Sequence, residues 1–534
     1  MNSCRQCNTQ FQVTERDSEF YKKIEVPPPT LCPLCRLQRR LSFRNERRLY
    51  KRTCDLCKKS MISFYDADSP YTVYCKDCWW SDTWDPKAYG QEYDPHRPFM
   101  DQLKELFLKV PKAGLIQMNS ENCDYNAFLY FSKNTYMSPG SYFVENCFYV
   151  RKSQYSRDCA SSNALNKCEL VAESTNCDNC YHCHHLLNCR NCSSSSHLHN
   201  CTSLENSFMC SGMNNKKYCF KNTQYTQEEY EKMRQTYSAK SPDEIDREYH
   251  EFLLTIPQRA LNQLNCENST GDYLQNCKNA LDCYDCFEVQ DSRYLSECVN
   301  VKDSMDLSLH DKEIELCYEL CTGGEKGYLT KFSYCAVASP FSEYTYSCIY
   351  LTHGFGCDGF HSRSEYMILN KQYAPEEYTV LRAQIIEDMK SETARGNFDA
   401  QYGEFFPFSL STFAYNETAA QDYFPITEEI AQQYNIPWKN HPTQRIDNSP
   451  DIFTCINCSK QYKIIAQEKE LYTKIGLPLS PYCHECRYLK VISWKNQKQI
   501  YTRTCAKCGT TIQTTYHHDR REIVYCEACY LATK

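Results

Sequence analysis

The sequence predicts a mainly β protein: tandem Cys-laddered β-solenoid halves with short helices, flanked at each end by a pair of Cys4 ribbons. Three observations carry this reading. From Ser141 onward, small apolar, thiol or hydroxyl residues recur at every third position, as in Val144, Cys147, Val150, Ser153, Ser156 and Cys159. The letters of Tyr218–Arg234 return in Tyr366–Arg382 at an offset of 148. Sixteen of the 38 cysteines form eight CxxC pairs near the two ends.

A helix would show spacings of three and four, and an ordinary strand would alternate in twos. Neither fits 120–222, where cysteines also recur by nines, as in Cys159, Cys168 and Cys177. Short strands joined by Asn-rich corners fit, and such units bury a face only by stacking. Coils of two nine-residue units each are expected. The step of three returns over 265–370 in Leu274, Cys277, Ala280, Cys283, Cys286 and Val289. Between the halves, Thr226 with Glu229 and Ser241 with Glu244 form capping boxes, so 223–264 should hold helices. The second opens at Pro242 and is expected to run toward Leu264 with a kink at Pro257. A further helix is expected over 371–395. Residues 396–450, rich in Phe, Tyr and Pro, read as a connector.

The ends, 1–80 and 451–534, follow one plan. Cys4/Cys7 with Cys32/Cys35, and Cys54/Cys57 with Cys75/Cys78, have the spacing of two adjacent ribbons. Cys455/Cys458 with Cys483/Cys486, and Cys505/Cys508 with Cys526/Cys529, repeat it. Two residues between the cysteines of a knuckle let both thiolates face one ion, and two knuckles complete a tetrahedral zinc site. Four structural Zn2+ ions are expected. After the first pair, residues 81–119 read as an aromatic connector, with Trp79, Trp80 and Trp84 as a packing seam. An amphipathic helix is expected over Arg97–Val110.

A basic link joins the two N-terminal ribbons and carries Arg36, Arg39, Arg40, Arg44, Arg47, Arg48, Lys51 and Arg52 against a single acidic residue. Aromatic and apolar residues are interleaved with them. Such a stretch suits phosphate contacts with bases stacked on aromatics. It equally suits a connector whose Arg stems pack on protein. The C-terminal link repeats the theme with Lys490, Lys495 and Lys498.

A net charge of -7 excludes a global polyanion partner, so RNA or DNA would need a local patch. No membrane partner is expected, because no run approaches the roughly 18 apolar residues of a membrane helix. The polar first residues lack a signal-peptide core, so a cytoplasmic location is expected, where clustered cysteine usually means metal. In the solenoid, Cys177, Cys180, Cys183, Cys189 and Cys192 are dense enough to share a soft metal or to oxidise. Cys also serves as a small apolar filler, and its alternation with Ser on one ladder favours that role. His182, His184 and His185 fall off the inward register and are expected in solvent. Neither a phosphate-cradling loop nor a hydrolase triad or HExxH motif occurs, so the sequence points away from an enzyme.

The ribbons at 4–36 and 455–487 resemble the bacterial "probable zinc-ribbon" domain family. The pattern reads Cys4-Arg-Gln-Cys7, Phe11, Glu19-Phe20-Tyr21, Pro27-Pro-Pro29 and Cys32-Pro-Leu-Cys35-Arg36. The C-terminal copy reads Cys455/Cys458, Tyr462, Glu470-Leu-Tyr472, Pro478 and Cys483-His-Glu-Cys486-Arg487, without the Phe of Phe-Tyr. The whole chain is similar to long zinc-ribbon proteins of candidate-phylum bacteria, which share the CxxCWWSDxWDP stretch (Cys75–Pro86) and NKQYxxEEY (Asn370–Tyr378). The resemblance implies metal binding and names no substrate. Two function classes follow. One is a non-enzymatic zinc scaffold that binds nucleic acid or protein through its ribbons and basic links. The other is a metal- or redox-buffering protein that uses the solenoid thiols.

Overall fold

A computed structural model describes residues 1–46, 48–309, 312–322, 325–440 and 451–533, with Ala400 described by its backbone alone. The middle of the chain is a parallel β-solenoid. In the first half Asn163 pairs with Thr175, Leu186 with Leu198, and Ser196 with Phe208, so neighbouring coils there stand 12 residues apart. This corrects the expected coil of two nine-residue units. The reason lies in the corners. Each inward residue is followed by a bridging residue and then by one in the left-handed region, as at Asn146 (φ 51°), Tyr149 (φ 58°), Lys152 (φ 54°) and Tyr155 (φ 50°). A corner every third residue makes each side one tripeptide long, and four sides close the coil.

The nine-residue recurrence is the diagonal of this lattice. On a 12-residue coil with three-residue sides, position i+9 sits one side back on the next coil. There the thiol of Cys159 donates to the carbonyl of Cys168 at 3.6 Å, Cys168 to Cys177 at 3.5 Å, and Cys183 to Cys192 at 3.5 Å. Serine fills the same places for a related reason. Ser156 Oγ donates to the Gln154 carbonyl at 2.9 Å and accepts from the Cys168 amide directly above it at 3.2 Å. Cys and Ser therefore alternate because both are small and both satisfy backbone inside the coil.

A left-handed non-glycine residue costs about 1–2 kcal/mol, least for Asn and Asp. Those residues crowd the corners and form ladders across coils. Asn122 donates to Asn134 at 3.0 Å, Asn134 to Asn146 at 3.2 Å, and Asn146 to Asp158 at 3.0 Å. Inside, Val150, Leu165, Val171, Leu186 and Leu198 share one buried core with the cysteines. The second half has its own core around Leu274, Val289, Leu295, Val301 and Leu307.

The duplication is exact in register at its closing hairpins, although the second half includes steps of 11 and 13 residues, as in Gln263↔Leu274 and Tyr318↔Lys331. Each half closes with an antiparallel hairpin, Cys219↔Gln224 in one and Met367↔Gln372 in the other. Each hairpin leads into a helix, Gln227–Ser238 or Pro375–Ala394. The capping boxes at Thr226 and Ser241 form as expected. The helix from Pro242 stops at Leu253 and never reaches Leu264. Pro257 disfavours helical backbone before it, and the chain turns instead into the strand Gln258–Arg259, which pairs with Val524–Tyr525.

The chain forms two compact units. One combines Met1–Leu115 with Asn262–Asn440, so the N-terminal ribbons belong with the second solenoid half. The other combines Ile116–Leu261 with His441–Lys534, so the C-terminal ribbons belong with the first half. In the former, the stretch expected as a connector packs as core. Phe43 meets Phe405 at 5.2 Å and Phe406 at 5.5 Å, and all three rings are buried. Residues 441–450 of that stretch, and Arg47, lie outside the described residues. The amphipathic helix forms as Phe99–Lys109. Trp79 and Trp84 are buried against His361, while Trp80 is 38% exposed. No described helix is long and apolar enough to cross a membrane.

If the ladder cysteines are lattice residues, Cys168→Ser should cost under about 2 kcal/mol, the scale of one exchanged hydrogen bond. Cys168→Leu should cost about 1–3 kcal/mol or more by overpacking. Urea denaturation of the full chain measures both, and a Ser variant worse than the Leu variant would contradict the lattice role.

Candidate metal centres

Each ribbon begins with a knuckle built by backbone. Asn8, Lys58, Ser459 and Gly509, which follow the first CxxC of each ribbon, have φ of 58°, 62°, 58° and 75°. The turn lets the Asn8 amide reach the Cys4 carbonyl at 2.9 Å, and the other knuckles repeat it. The second CxxC of every ribbon opens a helix. Cys32, Cys75, Cys483 and Cys526 are the N-caps of Pro33–Leu41, Lys76–Trp79, His484–Ser493 and Glu527–Leu531. Unpaired amides at a helix start favour thiolate, the form that ligates metal.

The knuckles bring the four sulfurs of each set within 4.8 Å of one another: Cys4, Cys7, Cys32, Cys35; Cys54, Cys57, Cys75, Cys78; Cys455, Cys458, Cys483, Cys486; and Cys505, Cys508, Cys526, Cys529. Across each set, Cys7–Cys32, Cys57–Cys75 and Cys458–Cys483 stand at 3.7 Å and Cys508–Cys526 at 3.8 Å. A tetrahedron with Zn–S near 2.3 Å has edges of about 3.8 Å. The sulfurs also receive amide hydrogen bonds, from Cys32 to Cys4, Cys75 to Cys54 and Cys526 to Cys505, each at 3.2 Å. Such outer contacts orient ligands around a structural ion. The donor sets fit zinc, which here would cross-link each small ribbon.

The basic link lies elsewhere than on an open face. Arg36, Arg39, Arg40, Arg44 and Arg52 are buried. Arg36 pairs with Asp306 at 2.9 Å, and Arg40 pairs with Asp306 at 3.2 Å and Glu319 at 2.6 Å. Arg40 also donates to Ser308 at 3.1 Å. Burial pushes the Glu319 carboxyl up to about 7. Arg39 pairs with Glu404 at 3.3 Å, and Glu404 also takes Arg5 at 2.9 Å. Arg44 pairs with Glu46, and Arg52 with Asp55 at 2.9 Å. Arg48 is half-buried and Lys51 is exposed. The phosphate-contacting expectation therefore gives way for five of the eight side chains: they clamp the ribbons to the second solenoid half and to nearby chain. A guanidinium enclosed with carboxylates is not offered to a phosphate.

The other unit repeats the device. From Cys4 to Cys455 and Cys75 to Cys526 the ribbons run at one offset, which sets Arg487 in the place of Arg36. Arg487 is buried, pairs with Glu468 at 2.7 Å, donates to Ser161 and Tyr472 at 2.9 Å, and lies 4.8 Å from the Tyr149 ring centre. Lys490 pairs with Asp246 at 2.5 Å, and Lys495 donates to Asn176 at 3.3 Å.

The five clustered solenoid thiols, Cys177, Cys180, Cys183, Cys189 and Cys192, are buried, and each donates to the carbonyl two residues before it. The distances are 3.4 Å for Cys177, 3.5 Å for Cys180, 3.2 Å for Cys183, 3.4 Å for Cys189 and 3.3 Å for Cys192. Burial pushes the Cys183 and Cys189 thiols well above their ordinary value. Among the described residues, no three solenoid thiols gather as the ribbon sulfurs do.

The histidine expectation holds for His182, which is exposed, and needs correction for His184 and His185. His184 and His185 are half-buried and His197 is buried, and one ring nitrogen of each lies within 4.8 Å of the others. Burial holds His184 well below the usual histidine value and His197 at about 4. Sequence reading missed His197. The signal was present, since His185 and His197 are one 12-residue coil apart, but it is visible only once that coil length is known.

No family model and no curated protein matches the chain. Among solved structures, an acetyltransferase candidate from Desulfovibrio desulfuricans G20 is 9% identical, over 49% of this chain and 70% of that one, with a TM-score of 0.11. A UDP-N-acetylglucosamine acyltransferase from Campylobacter jejuni is 9% identical, over 50% of this chain and 95% of that one, with a TM-score of 0.10. Superpositions this poor carry no argument about fold or activity.

The four ribbons are expected to hold one zinc each against a mild chelator, and Cys32→Ser should release one and unfold its ribbon. Elemental analysis finding two or fewer ions in reduced, zinc-replete protein would contradict the assignment. Arg40→Ala should cost about 3–5 kcal/mol, because Glu319 is left buried without its close partner and Asp306 keeps Arg36 alone. Chemical denaturation reads this, and a loss under 1 kcal/mol by the same double-sided argument would mean the clamp is loose.

Proposed function

We propose that the protein is a non-enzymatic zinc scaffold that presents its ribbons to a protein partner. The observation that supports this most is the fate of the link arginines. Arg36, Arg39, Arg40, Arg44 and Arg52 are enclosed within their unit, and Arg487 in the other, so each ribbon pair is held on its own solenoid half as a rigid fixture. What the ribbons offer outward includes apolar residues at the knuckles: Leu34, Leu56 and Ile456 are 40%, 39% and 63% exposed. The first solenoid half adds an exposed aromatic stack, with Phe131–Phe143 at 4.9 Å and Phe143–Tyr155 at 5.1 Å. Exposed apolar groups on rigid elements suit protein contacts, where preorganised aromatic anchors cost little entropy. The buffering alternative draws less support, because the solenoid thiols serve the backbone.

The test is affinity capture from native lysate with zinc-loaded full-length protein, with and without nuclease. A partner protein retained after nuclease, and lost with Leu56→Asp plus Ile456→Asp, is the expected outcome. Capture abolished by nuclease would move the reading to nucleic acid. In that case Lys51→Gln should weaken binding and lower the log-log salt slope by about 0.7–0.9.

A further inference from the structure

A cluster of three histidines lies in the unit that holds the first solenoid half. His184 and His185 come from the strand Tyr181–Leu187, and His197 from Ser196–His199 on the next coil. The His185 and His197 rings stack in parallel, 4.5 Å apart at 6°, and His184 stands edge-on to His197 at 5.7 Å. The helix Pro242–Leu253 sends Asp246 and Tyr249 to this face, Tyr249 standing edge-on to His197 at 5.5 Å, and the helix His484–Ser493 sends Lys490.

The hydrogen bonds decide where the lone pairs go. His185 Nε2 faces Glu173 at 2.9 Å, and His197 Nε2 faces Asp246 at 3.2 Å. A carboxylate only accepts, so both Nε2 atoms carry hydrogen and both Nδ1 atoms can be left as bases. His197 Nδ1 is buried without a hydrogen-bond partner among the described residues. His184 Nδ1 and His185 Nδ1 face each other at 2.9 Å, where one hydrogen must serve two nitrogens. Carboxylates behind imidazoles, with ring nitrogens turned toward one another, are the outer-shell pattern of histidine-ligated metals.

We propose that His184, His185 and His197 bind a divalent transition-metal ion of the zinc(II) or cobalt(II) class, with Glu173 and Asp246 as positioning residues. Imidazole nitrogen suits these ions. Glu173 and Asp246 supply two negative charges, and the cations facing the cluster are Lys490, which holds Asp246, and Arg234. Zn–N bonds of about 2.0–2.1 Å put ligand nitrogens about 3.3–3.4 Å apart, so the His184 and His185 Nδ1 atoms, at 2.9 Å, must open slightly to admit an ion. The site differs from the ribbons in donor type, being all nitrogen, and does not depend on the scaffold reading.

The experiment uses full-length reduced protein at pH 8 with the ribbons already zinc-filled and free metal removed. Calorimetric titration with Zn2+ should show one further equivalent per chain, and Co2+ should bind there with weak d–d absorption lacking strong thiolate charge-transfer bands. His197→Phe keeps an aromatic ring in the stack and should weaken this equivalent at least tenfold while the four ribbon ions stay. No further equivalent in the parent, or one that His197→Phe retains, overturns the proposal. Should that variant fail to fold, nitrogen NMR of histidine-labelled parent decides. Zn2+ should move the ring nitrogens of three histidines, and an equivalent that moves none of them overturns the site.

Discussion

Every third residue of the solenoid sits at φ near +50°, and the rest of the molecule answers to that constraint. A corner at each tripeptide leaves one inward side chain per side and no room for a large one where four sides meet. The interior therefore takes Cys, Ser, Val and Leu. The same corner would strain most residues, which explains the Asn and Asp ladders along the edges. Hydrogen bonds from Ser and Cys to backbone then satisfy polar groups that so narrow a core would otherwise strand.

The ribbons solve a different problem. Units of this size have little core, and their four gathered sulfurs are placed so that a metal could cross-link them. A metal-held ribbon on its own would still be free to swing. Arg36 and Arg40 in one unit, and Arg487 in the other, turn each ribbon pair into part of a larger body. The charges involved are enclosed and paired with one another, which makes the clamp sensitive to loss of a partner. It also removes from the surface the cations that give the link its basic character.

Histidine makes the same point on a smaller scale. His184 and His185 read as polar residues off the inward face, and that face assignment is right. The solvent inference fails because Asp246 and Lys490, distant in the chain, cover them. An outward side chain on a solenoid is exposed only where nothing docks.

Much of the molecule was legible in the letters for local reasons. CxxC spacing constrains where sulfurs can point, and the four Cys4 sets follow from it. The step of three is a direct imprint of the tripeptide side, and the offset of 148 carries through to hairpins and helices. Coil length was not legible, since a recurrence of nine is both a repeat and a diagonal. Only the parallel register, Asn163 on Thr175, separates the two. The destination of an arginine was likewise open, because a guanidinium suits a phosphate and a buried carboxylate equally. Asp306 and Glu319 lie some 270 residues from Arg36 in the chain, and tertiary contact alone brought them together.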